Sequence, residues 1–161
     1  MYEWVAKAAE GEISKVVIQN QEGFNILKRG KEQEGQLTVE ASHILICHQA
    51  VQGCASNRTK DEALQLANEL FDQATAKNFS ELAKENSDDT GSKEKGGVLG
   101  PFHKGVTVPE FEEAAFAAEV GQIIGPVESQ FGLHIIYKTG QDTQKEYEVT
   151  RILIKKMTET D

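Results

Sequence analysis

The stretch V-E-A-S-H-I-L-I-C, from Val39 to Cys47, decides how this chain reads. Apolar and β-branched residues crowd its second half without polar alternation, which predicts a strand buried on both faces toward its end. Downstream, 49–58 is polar and holds Gly53, a loop by composition. Thr59 and Glu62 stand three apart as a capping box. Ala63, Leu66, Ala67, Leu70, Phe71 and Ala74 then recur at helical spacing, so the pattern predicts a helix over roughly 60–77. Asn78 and Glu81 read as a second cap, for a short helix to about Asn86. The run S-D-D-T-G-S-K-E-K-G-G (87–97) reads as a loop or a short helical turn. A short strand follows at 98–102. Pro109 suits the first turn of a further helix, with Phe111, Ala114, Ala115 and Ala118 as its apolar face and Gly121 as its stop. Finally 122–129 and 132–138 pair around a turn at Gln130-Phe131-Gly132. Between about 38 and 140 the order is therefore β-α-α-loop-β-α-β-β.

Composition bounds the rest. The chain has 161 residues, 39% of them hydrophobic, enough for one compact domain with flanking pieces. Its 17 basic residues are scattered among 26 acidic ones, giving a net charge of −9, which argues against a nucleic-acid partner. No apolar run approaches the ~18–20 residues of a membrane span. The N-terminus, Met1-Tyr2-Glu3-Trp4, brings in acidic residues within its first ten, unlike a signal peptide. Cys47 and Cys54 are too few for a disulfide framework; local pairing and free thiols both remain open, and so does the compartment.

The flanks carry a repeat. Gly11–Gly30 and Gly121–Gly140, aligned without gaps at an offset of 110, share Gly11/Gly121, Ile13/Ile123, Val17/Val127, Ile26/Ile136, Lys28/Lys138 and Gly30/Gly140. Residues 148–154 resemble 40–46 at an offset of 108. Two near-equal offsets suggest a unit of about 110 residues seen once whole, at 38–140. The flank 1–37 then reads as the tail of a preceding copy, and 141–161 as the first strand of a following one. The two flanks are expected to pair with each other. They carry no chemistry of the central copy: Arg151 stands where His43 does, and Gly23–Leu27, opposite L-H-I-I, has no histidine.

Two histidines on apolar strands, His43 and His134, with the carboxylates Asp88 and Asp89 before a Gly-rich run, form the one constellation here that suggests chemistry. Around it the residues match a family. A-S-H-I-L-I (41–46), S-x-D-x-G-S (Ser87, Asp89, Gly91, Ser92), G-G-V-L-G-P-F (96–102), V-P-E-F-E-E-A-A-F (108–116) and G-P-V-E-S-Q-F-G-L-H-I-I (125–136) fall in order. In these motifs the chain resembles the parvulin peptidyl-prolyl cis-trans isomerases. The resemblance implies an α+β fold: a four-stranded, mostly antiparallel sheet surrounded by about four helices, β-α-α-α-β-α-β-β.

It also implies roles. His43, His134 and the hydroxyl of Ser129 would form one hydrogen-bonded network, with Asp89 beside the isomerising amide. Leu99, Phe111 and Phe131 would hold the proline ring. A further pocket position, usually Met or another apolar residue in the family, is Thr107 here, a less greasy choice. An X-Pro bond turns over a barrier near ~20 kcal/mol. Lowering that barrier needs a pocket that grips the ring and electrostatics that favour the twisted amide, and calls for no metal or organic cofactor. The implied partners are proline-containing peptides or unfolded proteins. The branch that reads phosphoserine carries a basic cluster after the first strand, where this chain has only Arg58 and Lys60. The nearer likeness is to foldase modules of the bacterial cell envelope, which implies an extracytoplasmic setting. The competing function is a catalytically weak chaperone or peptide-binding module using the same groove. A zinc site at Cys47, His48, Cys54 and His103 lacks ligand spacing, and a Cys47-His48 nucleophile pair would point to opposite strand faces.

Overall fold

A computed structural model describes residues 2–155, leaving aside the side chains of Tyr2 and Gln144. Its elements are α1 (Tyr2–Lys7), β1 (Ile18–Gln19), β2 (Gly23–Ile46), α2 (Lys60–Gln73), α3 (Phe79–Asn86), a 3₁₀ turn (Lys93–Lys95), β3 (Val98–His103), α4 (Pro109–Ala117), β4 (Ile123–Ser129) and β5 (Gly132–Lys155). The chain divides into two compact units, one made of 1–36 with 143–161, the other of 37–142.

In the larger unit the sheet order is β3-β2-β5-β4. β3 lies antiparallel to β2, and β4 to β5. Strand alternation sorts the core into two faces. Ile44, Ile46, Leu133 and Ile135 pack with Ala63, Ala67, Leu70, Phe79 and Ala83 of α2 and α3. Val39, Ala41 and Ile136 pack with Phe102, Phe111 and Ala115, under α4. His43 and His134 fall on this second face by the same alternation. The unit's chain enters and leaves side by side, with Thr38 Oγ1 donating to the carbonyl of Asp142 at 3.0 Å.

Three local expectations change. The Thr59–Glu62 capping box is present, but α2 stops at Gln73. Beyond it Thr75 and Asn78 bond each other: Thr75 N donates to Asn78 Oδ1 at 2.7 Å and Asn78 N to Thr75 Oγ1 at 3.3 Å. That exchange makes a turn of its own, so Asn78 gives α3 no side-chain cap. Helix α4 ends at Ala117 rather than at Gly121. The buried Lys138 ammonium donates to the carbonyl of Ala118 at 2.8 Å and takes up one of the helix's terminal acceptors. Third, β2 and β5 each run for 24 residues. Their polar middles, rich in Glu, Gln, Gly and Lys, carry no apolar alternation from which a strand could be read.

The smaller unit contains α1, β1 and the outer halves of β2 and β5. Its two long-strand segments contact each other, Lys31 N donating to Glu148 Oε2 at 3.4 Å, and Arg151 of β5 pairs at 2.8 Å with Glu22, the residue just before β2. Its hydrogen bonds match those at the end of the larger unit. Ala8 N donates to Trp4 O and Glu12 N to Ala9 O, as Ala118 N does to Ala114 O and Gln122 N to Glu119 O. Ala9 N donates to Glu12 Oε2, and Glu119 N to Gln122 Oε1, both at 2.9 Å. Gly11 N donates to Arg29 O at 2.7 Å, and Gly121 N to Lys138 O at 2.8 Å. The strand pairings agree: Ile13 faces Lys28 as Ile123 faces Tyr137, and Ile18 faces Asn25 as Val127 faces His134. The offset is thus 110 up to Ile13 but 109 from Ile18 onward, one residue away from the ungapped alignment. Asn25, wholly buried, stands opposite His134 in this register.

Candidate functional site

Each side chain of the site is set by backbone that the sequence dictates locally. β2 and β5 are neighbours, so His43 and His134 meet across the strand pair. His43 N donates to Gly97 O at 2.8 Å, and a Cβ at Gly97 (φ 81°) would collide with the His43 carbonyl. The glycine therefore lets the Ser87–Gly97 loop lie directly on the histidine strand. Ser87, buried within that loop, accepts from Leu45 N at 3.1 Å and from Asp89 N at 3.3 Å. Asp88 accepts from Cys47 N at 2.9 Å and from Arg58 at 2.6 Å. These bonds fix Asp89 over His43.

The polar atoms form one chain. Phe131 N donates to Ser129 Oγ at 3.1 Å, and Ser129 Oγ meets His134 Nε2 at 2.7 Å. His134 Nδ1 meets His43 Nδ1 at 3.2 Å, and His43 Nε2 meets Asp89 Oδ2 at 2.9 Å. Ser92 Oγ donates to the same Asp89 oxygen and lies 3.2 Å from His43 Nε2. Proton positions follow from the acceptors. Ionised Asp89 can only accept, so His43 carries its proton on Nε2. A neutral His43 then accepts at Nδ1 from His134 Nδ1–H, which leaves His134 Nε2 to accept from the Ser129 hydroxyl. Every bond points toward Asp89.

Electrostatics agree with this assignment. Burial pushes the His43 pKa below its ordinary value, against the pull of Asp89. Burial, with the neighbouring His43 second, pushes His134 down to about 4. Asp89 is held below the ordinary carboxylate range: burial opposes this, but the bonds from Ser92, His43 and Gly91 N outweigh it. Both imidazoles are neutral at pH 7 and the carboxylate is charged.

Beside this chain lies a cleft of about 470 Å³, lined by His43, His134, Leu99, Thr107, Phe111 and Phe131 together with Val106, Val108 and Pro109. Phe111 is buried and sets its ring edge-on against both histidines, at centroid distances of 5.7 Å and 5.3 Å. Leu99 and Phe131 are 38% and 47% exposed, apolar surface left open at the mouth. Thr107 Oγ1 is buried with no hydrogen-bond partner among the described residues. All four residues read from the sequence as pocket lining share this cleft, as do two of the four polar ones. Ser129 and Asp89 stand behind the histidines and are not among its lining residues. One functional candidate escaped the sequence reading: Ser92 was visible only as the last letter of a motif. Asp88, read together with Asp89, turns instead to Cys47 N and Arg58. Among the described residues no group of three or more His, Cys, Asp or Glu is set to hold a metal, and no helix is long and apolar enough to cross a membrane.

The chain is similar to several known proteins. The chain is 41% identical over 123 residues to foldase protein PrsA 2 of Bacillus anthracis, covering 76% of this chain and 38% of that one. It is 37% identical over 140 residues to the chaperone SurA of Chromohalobacter salexigens, covering 82% and 31%. It thus spans under two fifths of the curated relatives it matches. Among solved structures, peptidyl-prolyl isomerase ESS1 from Candida albicans matches with a TM-score of 0.58 at 35% identity, over 64% of this chain and 63% of that one. A SurA-like chaperone of Campylobacter jejuni, from the pair PEB4 and the periplasmic Cj1289, matches at 0.54 and 38% identity, over 70% and 41%. Residues 24–142 match the PPIC-type PPIASE domain, and the chain belongs to that family, the parvulins.

Proposed function

We propose that the 37–142 unit is a peptidyl-prolyl cis-trans isomerase acting on X-Pro bonds of peptides or unfolded proteins and so assisting folding. The observation that carries this is the apolar cleft of Leu99, Phe111 and Phe131 floored by His43 and His134. A planar amide is stabilised by charge-separated resonance, which a twisted amide loses. An apolar, water-poor cleft therefore favours the twisted state relative to the planar one. The histidine floor adds to this. Its N–H groups are consumed within the chain that ends on Asp89, so none is free to lock the planar carbonyl. Leu99, Phe111 and Phe131 grip the proline ring while the preceding carbonyl turns. Asp89, Ser92 and Ser129 act through the histidines, holding their tautomers and ring planes.

The reading includes no phosphate requirement. Arg58 is engaged by Asp88 at 2.6 Å, and Lys60 by Glu128 at 2.5 Å. An extracytoplasmic setting is supported by the disulfide between Cys47 and Cys54, since such bonds persist in oxidising compartments, and by the likeness to a pair that includes a periplasmic protein. The flanks are read as the last helix and strands of one copy of the domain and the first strand of another. The shared hydrogen-bond pattern and the contacts of 143–155 with the N-terminal segment support this. That unit would be inactive, having Asn25 and Arg151 where the histidines would stand.

A protease-coupled assay on an X-Pro peptide tests the function. The protein should raise the cis-to-trans rate with no metal or nucleotide added, and chelation should leave the rate unchanged. A rate equal to the uncatalysed one, in folded protein, would move the reading to the chaperone module. The SurA likeness is the observation in favour of that second reading.

A further inference from the structure

The smaller unit has one covered sheet face and one bare face. Along its part of β2, Asn25, Leu27 and Arg29 are buried, whereas Lys28 between them is exposed. Helix α1 closes the buried side: Val5 is buried, and its carbonyl accepts from Arg29 Nε at 3.0 Å. In the repeat, Val5 stands where Ala115 of α4 stands, and Leu27 where Ile136 stands. Ala115 and Ile136 pack together in the larger unit, so α1 repeats the cover that α4 gives there. The other face has no such cover among the described residues. Ile152 and Ile154 are 61% and 56% exposed, and Ile13 is 56% exposed. Each has a counterpart in the larger unit. A Cβ at Gly23 would collide with the Ile154 carbonyl, as one at Gly132 would with that of Ile46. Ile154 and Ile152 therefore hold the places of Ile46 and Ile44, and Ile13 that of Ile123. Ile44 and Ile46 are wholly buried, with Ile123 packed beside them, because α2 and α3 lie over them through Ala63, Ala67, Leu70, Phe79 and Ala83. Residue type and register agree between the two units while exposure is reversed, and the element that accounts for the reversal is the helix pair.

We propose that this bare face is a docking surface for a pair of amphipathic helices of the α2–α3 kind, supplied by another copy of the domain; this rests on the reading of the flanks as pieces of two copies. The chemistry of the occupant follows from the larger unit. Its first helix presents alanines at the spacing of Ala63 and Ala67, which lets the helix backbone come close to the isoleucines. A leucine and an aromatic ring, in the places of Leu70 and Phe79, fill the space beside them. Three isoleucines held in water on one sheet face are a patch rather than scattered apolar residues, and such patches mark interaction surfaces. The unit with Asn25 and Arg151 in the histidine places thus keeps a task of its own, the joining of copies.

The test extends the full chain after Asp161 by a flexible Gly-Ser linker and a second 57–87 segment, which brings the helices to a high effective concentration. Solvent contact of the isoleucine methyl groups is read by NMR, from their relaxation by a soluble spin probe. Relaxation of Ile13, Ile152 and Ile154 should fall about threefold or more in the extended chain, while Ile44 and Ile46 stay as they are. The same extension carrying Leu70→Asp and Phe79→Asp in the appended segment alone leaves the chain itself untouched and should restore the relaxation. Unchanged relaxation in the extended chain, or equal protection by the Asp-bearing extension, overturns the docking surface. So does protection of the same three residues in the unextended chain with a doubled mass in sedimentation, which would assign the face to a second copy of this chain. The coupled X-Pro assay on the unextended chain reads the isomerase function, and amide exchange reads the pairing of the flanks, so the docking can fail with both intact.

Discussion

Acidification should destabilise the larger unit through its histidine pair, well before the Asp89 carboxylate takes up a proton. His134 is 3% exposed, and its folded pKa is about 4 against an ordinary value of 6.5. The folded chain therefore binds fewer protons at this residue than the unfolded chain across that window. The sign follows: falling pH favours unfolding, from about 6.5 downward, and the effect saturates below about 4. Integrated, the shift costs roughly 2 kcal/mol by pH 5 and roughly 3 kcal/mol by pH 4. His43 is shifted in the same direction and adds to the loss. Asp89, Glu32 and Glu62, with pKa values below their ordinary 3.8 or 4.5, give up their contributions only at lower pH. The window between pH 7 and 5 thus isolates the histidines. Urea unfolding at pH 7, 6 and 5, followed through the Ile44 and Ile135 amide signals, measures it. His134→Gln should shrink the slope by the larger share. Stability flat within about 0.5 kcal/mol from pH 7 to 5, or a His134 ring that takes up its proton above pH 6 in folded protein, would refute the proton assignment along the chain.

Asp89→Ala should lower kcat/KM about tenfold or more. It should also destabilise the unit by about 1–3 kcal/mol, because His43 Nε2–H and the Ser92 hydroxyl lose their acceptor; thermal melting and the coupled assay separate the two effects. Thr107→Val removes a buried hydroxyl without a partner and should raise stability by about 1 kcal/mol while tightening apolar X-Pro peptides, as should Thr107→Met in binding. Weaker binding by both variants would show that the hydroxyl serves the substrate. Amide exchange at Ile26, Leu27, Ile152 and Leu153 should be slow in dilute protein; fast exchange at all four would overturn the pairing of the flanks.

The sequence disclosed the site better than the outlines of the strands. His43 and His134 were legible because polar residues inside V-E-A-S-H-I-L-I-C and G-L-H-I-I are anomalous, and the cleft residues because the family motifs fix their order. The α2 helix and its cap were legible from period and capping chemistry alone. What escaped depends on partners far along the chain. The polar middles of β2 and β5 are strands because each supplies the other's hydrogen bonds, a fact no local pattern contains. The end of α4 is set by Lys138, 21 residues past its last turn in sequence. Asp89's station behind His43, rather than along the cleft wall, depends on Ser87 and Gly97 folding the loop down onto the strand. The one-residue slip between the two hairpins lies within 13–18, where identical residue types on both sides of the gap conceal it.

The bond between Thr38 and Asp142 gives the 37–142 unit a single doorway: its chain goes in and comes out within one hydrogen bond's reach. A module of that kind can be spliced into a surface turn of an unrelated host without prising the host's ends apart, because the entry and exit already sit as close as the two feet of a hairpin. The same doorway predicts how the module travels as a part. Excised between Leu37 and Asp142 and set into an exposed loop, it should carry its cleft and histidine chain with it, and the host should lose little beyond the entropy of a longer loop, which grows only logarithmically with length.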